Sequence, residues 1–186
     1  MVQKVSDQLY QLKITLRYSN PTIWRRLIVP ATISLYKLHQ GIQVAMGWTD
    51  SHLHQFVING REYGDSSILE DDDVLNERRY KLKNVVPRKG LKFFYEYDFG
   101  DGWQHNIVVE EILPNHSGTK YMICLDGQLA CPPEDVGGIP GYEEFLEAIN
   151  DPEHEEHESY LEWIGADFDP EEFNIDQVNR IFSRMR

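Results

Sequence analysis

Apolar and polar residues alternate from Tyr10 to Tyr18. Tyr10, Leu12, Ile14, Leu16 and Tyr18 share one side, and Gln11, Lys13, Thr15 and Arg17 the other. A period of two predicts a strand with one buried face. Asn20-Pro21 signals a turn, and Ile23 to Val29 reads as the returning strand. Arg25 and Arg26 fall on opposite faces of it, so one of them must find a partner or reach the rim. After Ser34 the period changes. Leu35, Leu38, Ile42 and Ala45 recur at helical spacing, with Ser34 as N-cap and Gly47 as a left-handed stop. His52 to Ile58 predicts a third strand, Asn59-Gly60 a hairpin turn, and Arg61-Glu62-Tyr63 the strand after it. Glu70 to Asp73 reads as an acidic loop.

The order strand, strand, helix, strand, strand predicts an α+β fold with a β-grasp-like start and a mostly antiparallel or mixed sheet. A hairpin over 91–112 completes the sheet. Its turn holds Tyr97-Asp98-Phe99-Gly100-Asp101-Gly102-Trp103-Gln104-His105. A three-residue loop at Gly100-Asp101-Gly102 would place Tyr97 opposite His105, Tyr95 opposite Ile107 and Phe93 opposite Val109. The other face then pairs Asp98 with Gln104 and Glu96 with Asn106, which separates polar from apolar side chains. Past residue 135 the pattern is helical. Tyr142, Phe145, Leu146 and Ile149 form one stripe. Asp151-Pro152 and Asp169-Pro170 resemble helix starts, and Tyr160, Leu161, Ile164, Val178, Ile181, Phe182 and Met185 give inward faces. These helices are expected to pack on the sheet, since each is marginal alone. The reading is one domain over 1–186, sheet-rich to 135 and helical and acidic after it.

Apolar content of 41% supports a folded core. The charge of −13 is unevenly placed: residues 1–92 carry 14 Lys and Arg against 9 Asp and Glu, and residues 93–186 carry 4 against 22. A nucleic-acid module using the basic half is one reading, with Lys13, Arg17, Arg25, Arg26 and Lys37 among its candidates. The acidic half disfavours it by long-range repulsion. No run of about eighteen apolar residues occurs, and Met1-Val2-Gln3-Lys4 lacks the apolar core of a signal peptide. A cytoplasmic protein without membrane contact is expected, with Cys124 and Cys131 as thiols.

Candidate chemistry is sparse. His52 and His54, two apart on one strand, would share a face, a spacing used by metal-binding pairs. A divalent metal could take a further ligand from His105, Cys124, Cys131, Asp98 or Glu134. The expected turn at Asp126-Gly127 could bring the two cysteines onto neighbouring strands. Asp98, Asp101, Glu134 and Asp135 could serve as paired carboxylates, but Asp101 suits a turn and Glu134-Asp135 suits the first turn of a helix. Ser34-Leu35-Tyr36-Lys37 lacks the companion elements of the Ser-x-x-Lys enzymes. Gly100-x-Gly102 lacks the third glycine of a dinucleotide fingerprint. His154 and His157 read as a solvated helix face.

Several blocks together carry a family resemblance: Pro21-Thr22-Ile23-Trp24-Arg25-Arg26, Met46-Gly47-Trp48, His52-Leu53-His54-Gln55-Phe56, Tyr97 to His105, Cys131-Pro132-Pro133-Glu134-Asp135-Val136-Gly137-Gly138 and Gly141-Tyr142. With them the chain resembles the plasmid pRiA4b ORF-3-like family, whose relatives include a passenger protein of an insertion sequence. The resemblance implies a compact α+β domain of prokaryotic, intracellular type and hints at mobile genetic elements. It carries over no catalytic residue or ligand. The leading reading is a non-enzymatic binding or adaptor protein for an unknown protein or small ligand. Trp24, Trp48, Tyr97, Trp103 and His105 are the residues expected to line its site. The competing reading is a metal-dependent hydrolase or nuclease built on His52, His54, His105, Cys124 and Cys131.

Overall fold

The computed structural model describes residues 8–66, 73–165 and 168–185. Most of the expected acidic loop, Glu70 to Asp72, lies outside them. In chain order the elements are β1 (Gln8–Leu16), β2 (Trp24–Pro30), α1 (Leu35–Met46), β3 (His54–Ile58), β4 (Arg61–Gly64) and β5 (Leu75–Asn76). A 3-10 turn (Glu77–Arg79) and α2 (Leu82–Val85) lead to β6 (Lys92–Tyr97), β7 (Trp103–Pro114) and β8 (Ile123–Gln128). Three helices follow: α3 (Gly138–Asn150), α4 (His157–Ile164) and α5 (Ile175–Phe182). The fold is α+β.

The strands form one sheet in the order β5-β4-β3-β6-β7-β1-β2-β8, antiparallel throughout except for the β4–β5 pair. The β6–β7 hairpin therefore joins β3 to β1 and sits at the middle of the sheet. Strand alternation places Tyr10, Leu12, Ile14, Leu16, Phe56, Phe93, Tyr95, Tyr97, Trp103, His105 and Ile107 on the covered face, all buried. α1 contributes Leu35, Leu38, Ile42 and Met46 to the same core. It starts at Ser34, whose side chain accepts from Lys37 N, and stops at Gly47 with φ 99°. Phe145 of α3 and Phe182 of α5 complete the core, while α4 packs on α3 through Tyr160 and Trp163 against Phe145.

Several local expectations are corrected. In the hairpin, Tyr97 pairs with Trp103, Tyr95 with His105 and Phe93 with Ile107, two residues away from the expected register. The faces are unchanged, since a shift of two preserves them. The loop is five residues because Asp98 leaves the strand at φ 56° and its Oδ1 accepts from Gly100 N and Asp101 N. β3 begins at His54, so His52 lies in the turn before it. Asp126-Gly127 is part of β8, where the pairing with β2 slips, and forms no turn. Glu134-Asp135 precedes α3, which opens at Gly138. Asp151 and Asp169 each accept from the amide two residues on, Glu153 and Glu171, closing local turns. The helices start later, at His157 and Ile175, and Leu161 faces outward.

Candidate functional site

α1 buries two polar residues, His39 and Gln43, on its inward face one turn apart. Gln43 Nε2 donates to Tyr95 Oη over 2.9 Å, and His39 Nδ1 lies 2.7 Å from the same oxygen. His39 Nε2 lies 2.7 Å from Asp50 Oδ1. Asp50 N in turn donates to Gln43 Oε1 over 3.1 Å. One protonation pattern satisfies all four contacts: Tyr95 donates to Nδ1, and the Nε2–H of a neutral His39 donates to the Asp50 carboxylate. Burial lowers the His39 pKa to about 2, with the charges near His54 and Arg78 pushing the same way. Burial raises Asp50 above the usual carboxylate value, a shift that neighbouring Glu77 and Glu134 reinforce and His54 opposes.

The first strand residue after the turn, His54, stacks on His39. Their ring centroids are 3.4 Å apart and the planes differ by 2°. Two imidazolium rings at that distance would repel, so the stack is not compatible with a charge on both rings. His54 Nε2 lies 2.9 Å from Oε2 of Glu77, a glutamate that is fully buried at the start of the 3-10 turn. Glu77 Oε1 has no hydrogen-bond partner among the described residues. These groups line a cavity of about 460 Å³ together with Tyr36, Ser51, His52, Leu53, Asp65 and Arg78. Arg78 is held at the rim, with its guanidinium 3.4 Å from the Tyr36 ring centroid and 3.9 Å from Asp65.

A second group lies beside the first. His52 Nε2 is 2.9 Å from Asp135 Oδ1 and 3.6 Å from Asp98 Oδ2, without the alignment of a hydrogen bond to either. Tyr97 fixes the segment between the groups: its Oη accepts from Ser51 N and His52 N and donates to Glu134 Oε1. Burial, then the Glu134 bond, pushes the Tyr97 pKa up, so it keeps its proton.

The expected site residues therefore divide. His52 and His54 do not share a face and belong to different groups, because the strand starts only at His54. Trp48, Tyr97, Trp103 and His105 cluster, with Trp48 5.0, 5.9 and 5.5 Å from the other three rings. They are buried and do not line the cavity, although Tyr97 bonds to two residues that do, Ser51 and His52. Trp24 stands apart on the open face of the sheet, with Lys13 and Arg26 at 4.8 and 4.9 Å from its ring. Cys124 and Cys131 are free thiols. Burial raises them to about 11 and about 12, which leaves them protonated at neutral pH, although Arg25 pulls both down. Among the described residues, neither thiol nor His105 joins a group of three prospective ligands. Those groups are His39, Asp50 and His54, and His52, Asp98 and Asp135. His39, Asp50 and Glu77 escaped the sequence reading. For His39 a signal existed, since His39 and Gln43 are polar residues four apart on the apolar stripe of α1.

The architecture defines an α+β protein with a histidine–carboxylate cavity between one helix and the sheet. The plasmid pRiA4b ORF-3-like protein model matches residues 8–177, and the chain belongs to that family. It is 44% identical over 172 residues to the uncharacterized protein y4hQ of Sinorhizobium fredii, covering 91% of this chain and 88% of that one. It is also similar to the crystal structure of MM3350 from Methanosarcina mazei Go1, a protein of unknown function, with a TM-score of 0.82 and 39% identity. That likeness covers 94% of this chain and 98% of the other. Among the described residues no helix is long and apolar enough to cross a membrane.

Proposed function

We propose that this protein is a binding protein whose ligand sits in the cavity lined by His39, Asp50, His54, Glu77 and Arg78. The supporting observation is that its polar groups are fixed from several separate elements before any ligand arrives: α1, the 48–53 turn, β3 and the 3-10 turn. Small-ligand sites are preorganised cavities of this size in which fixed, convergent polar groups set orientation and specificity. Tyr97, packed against Trp48, positions Ser51 and His52 directly. Two unpaired thiols support action in a reducing compartment such as the cytoplasm. The plasmid origin in the family's name supports a link to mobile genetic elements.

Thermal-shift screening of the untagged chain against divalent cations, nucleotides, amino acids and short peptides tests the reading. At least one class is expected to stabilise the protein, and Ser51→Trp, which fills the cavity from its rim, to abolish that effect. Stabilisation by none of them, or an effect that Ser51→Trp leaves intact, rejects the cavity as the seat. A metal-dependent hydrolase is the second reading. It is favoured by the His52, Asp98 and Asp135 group beside the first, which could activate water next to a bound ligand. Turnover of phosphodiester or ester substrates, lost in His52→Ala, would favour it over simple binding.

A further inference from the structure

We propose that the ligand of this cavity is a divalent transition-metal ion of the zinc class, held by one ring nitrogen each of His39 and His54 and by the Asp50 carboxylate. The inference rests on the cavity being the binding seat and names what occupies it. The three ligand atoms lie within 4.8 Å of one another. Around a tetrahedral zinc with bonds of about 2.1 Å, neighbouring ligands are about 3.4 Å apart, and the His39 and His54 rings must turn out of their parallel stack for both in-plane lone pairs to meet one ion. Two imidazoles and a carboxylate are the donor set that such ions favour over magnesium or calcium.

The independent observation is Glu77. It is fully buried, it lines the cavity, and its Oε1 has no hydrogen-bond partner among the described residues. Burying a carboxylate with one oxygen unpaired costs stability unless a cation or donor supplies the deficit. An ion between His39, His54 and Asp50 places positive charge next to it. Glu77 is then a positioning residue, since its Oε2 holds His54 Nε2 at 2.9 Å. Tyr95 plays the matching part for His39. When the ion takes Nε2, the single imidazole proton moves to Nδ1 and faces Tyr95 Oη, and the Tyr95 hydroxyl proton must then turn away from His39 to another acceptor. Arg78 opposes a cation from the rim, but it is drawn aside by Tyr36 and Asp65. His52, Asp98 and Asp135 offer an alternative seat, more exposed than the first, where the buried unpartnered atom is His52 Nε2.

The test uses the full chain, purified without an affinity tag and stripped with a chelator. Zinc chloride is titrated calorimetrically, and cobalt(II) is followed by its visible absorption. One ion per chain is expected, with the intense bands of a low-coordinate cobalt site. Asp50→Asn changes a side chain at the cavity edge and should fold normally, yet bind at least about tenfold more weakly, with an altered cobalt spectrum. Glu77→Gln should weaken binding while leaving the stoichiometry at one. His154→Ala, on the acidic surface outside the cavity, should bind as the parent does. Weak, non-stoichiometric uptake that is equal in the parent and Asp50→Asn overturns the proposal. Binding that survives Asp50→Asn and disappears in His52→Ala or His154→Ala also overturns it. If zinc fails while an organic compound still stabilises the chain in a manner blocked by Ser51→Trp, the cavity reading stands and the metal falls.

Discussion

Arg25 shows what a single residue does in this fold. The residue is 1% exposed, and its donors go to main-chain carbonyls: Nε to Ala45 O, Nη1 to Trp24 O and Gln128 O, and Nη2 to Leu129 O. The Phe173 ring covers its face at 4.0 Å. Those carbonyls belong to the end of α1, to β2 and to the exit of β8, so one rigid fork ties three elements together. Its neighbour Arg26 turns to the open face and pairs with Glu110 at 2.7 Å. The alternation of β2 made this division legible, but not which arginine would be buried, because carbonyl partners leave no mark in a sequence. A lysine cannot reproduce the fork, and it leaves carbonyls unpaired at about 1–3 kcal/mol each. Arg25→Lys should therefore destabilise the protein by about 3 kcal/mol or more in urea unfolding. A change below about 1 kcal/mol would show that water replaces the lost donors.

At the level of elements, patterns with one local cause were legible and those set by a distant contact were not. α1 followed from its stripe and caps, and β1 and β2 from their alternation. The hairpin's faces were also legible, yet its register slipped by two because the Asp98 side chain builds the turn and extends the loop. The same preference of aspartate for closing its own turn displaced the expected starts of α4 and α5. The candidate site was less legible still: Asp50 meets His39 from the turn after α1, and Glu77 meets His54 from the 3-10 turn, contacts that no periodicity announces. The two glycine-rich blocks, 97–105 and 131–138, meet at one junction. Asp101 Oδ2 accepts from Gly137 N at 3.1 Å, and a Cβ at Gly138 would lie 2.4 Å from Asp101 O. Gly138 also sits at φ 69°. Gly138→Ala combines left-handed strain with a collision against backbone, so a loss of about 2–4 kcal/mol is expected. Hydrogen exchange should rise at both 98–102 and the first turn of α3. A rise in only one of them would mean the blocks are not coupled.

For the whole molecule, most of the buried apolar residues among those described form one cluster that runs from Tyr10 of β1 to Phe182 of α5. We propose on that basis that residues 1–186 fold as one domain, for which urea unfolding should follow a single transition by fluorescence and circular dichroism alike. His105 is fully buried in that cluster, beside Tyr95 and Trp48. Burial lowers its pKa to about 3, against the nearby main chain of Tyr95 and Trp103 and with help from the Arg25 charge. In the unfolded chain it titrates at about 6.5. Below that pH the unfolded state binds a proton the native state refuses, so stability falls as pH drops from about 6.5 toward 3. The slope is about 1.4 kcal/mol per pH unit, or about 2 kcal/mol between pH 7.5 and 5. His39 acts in the same direction, since burial lowers its proton affinity too. Most carboxylates titrate nearer pH 4, so the interval from 5 to 6.5 belongs to the histidines. His105→Leu should reduce the proton uptake on unfolding by about one in that interval, read from the pH dependence of the urea transition. An unchanged slope in the variant would mean that His105 already carries its proton in the folded protein.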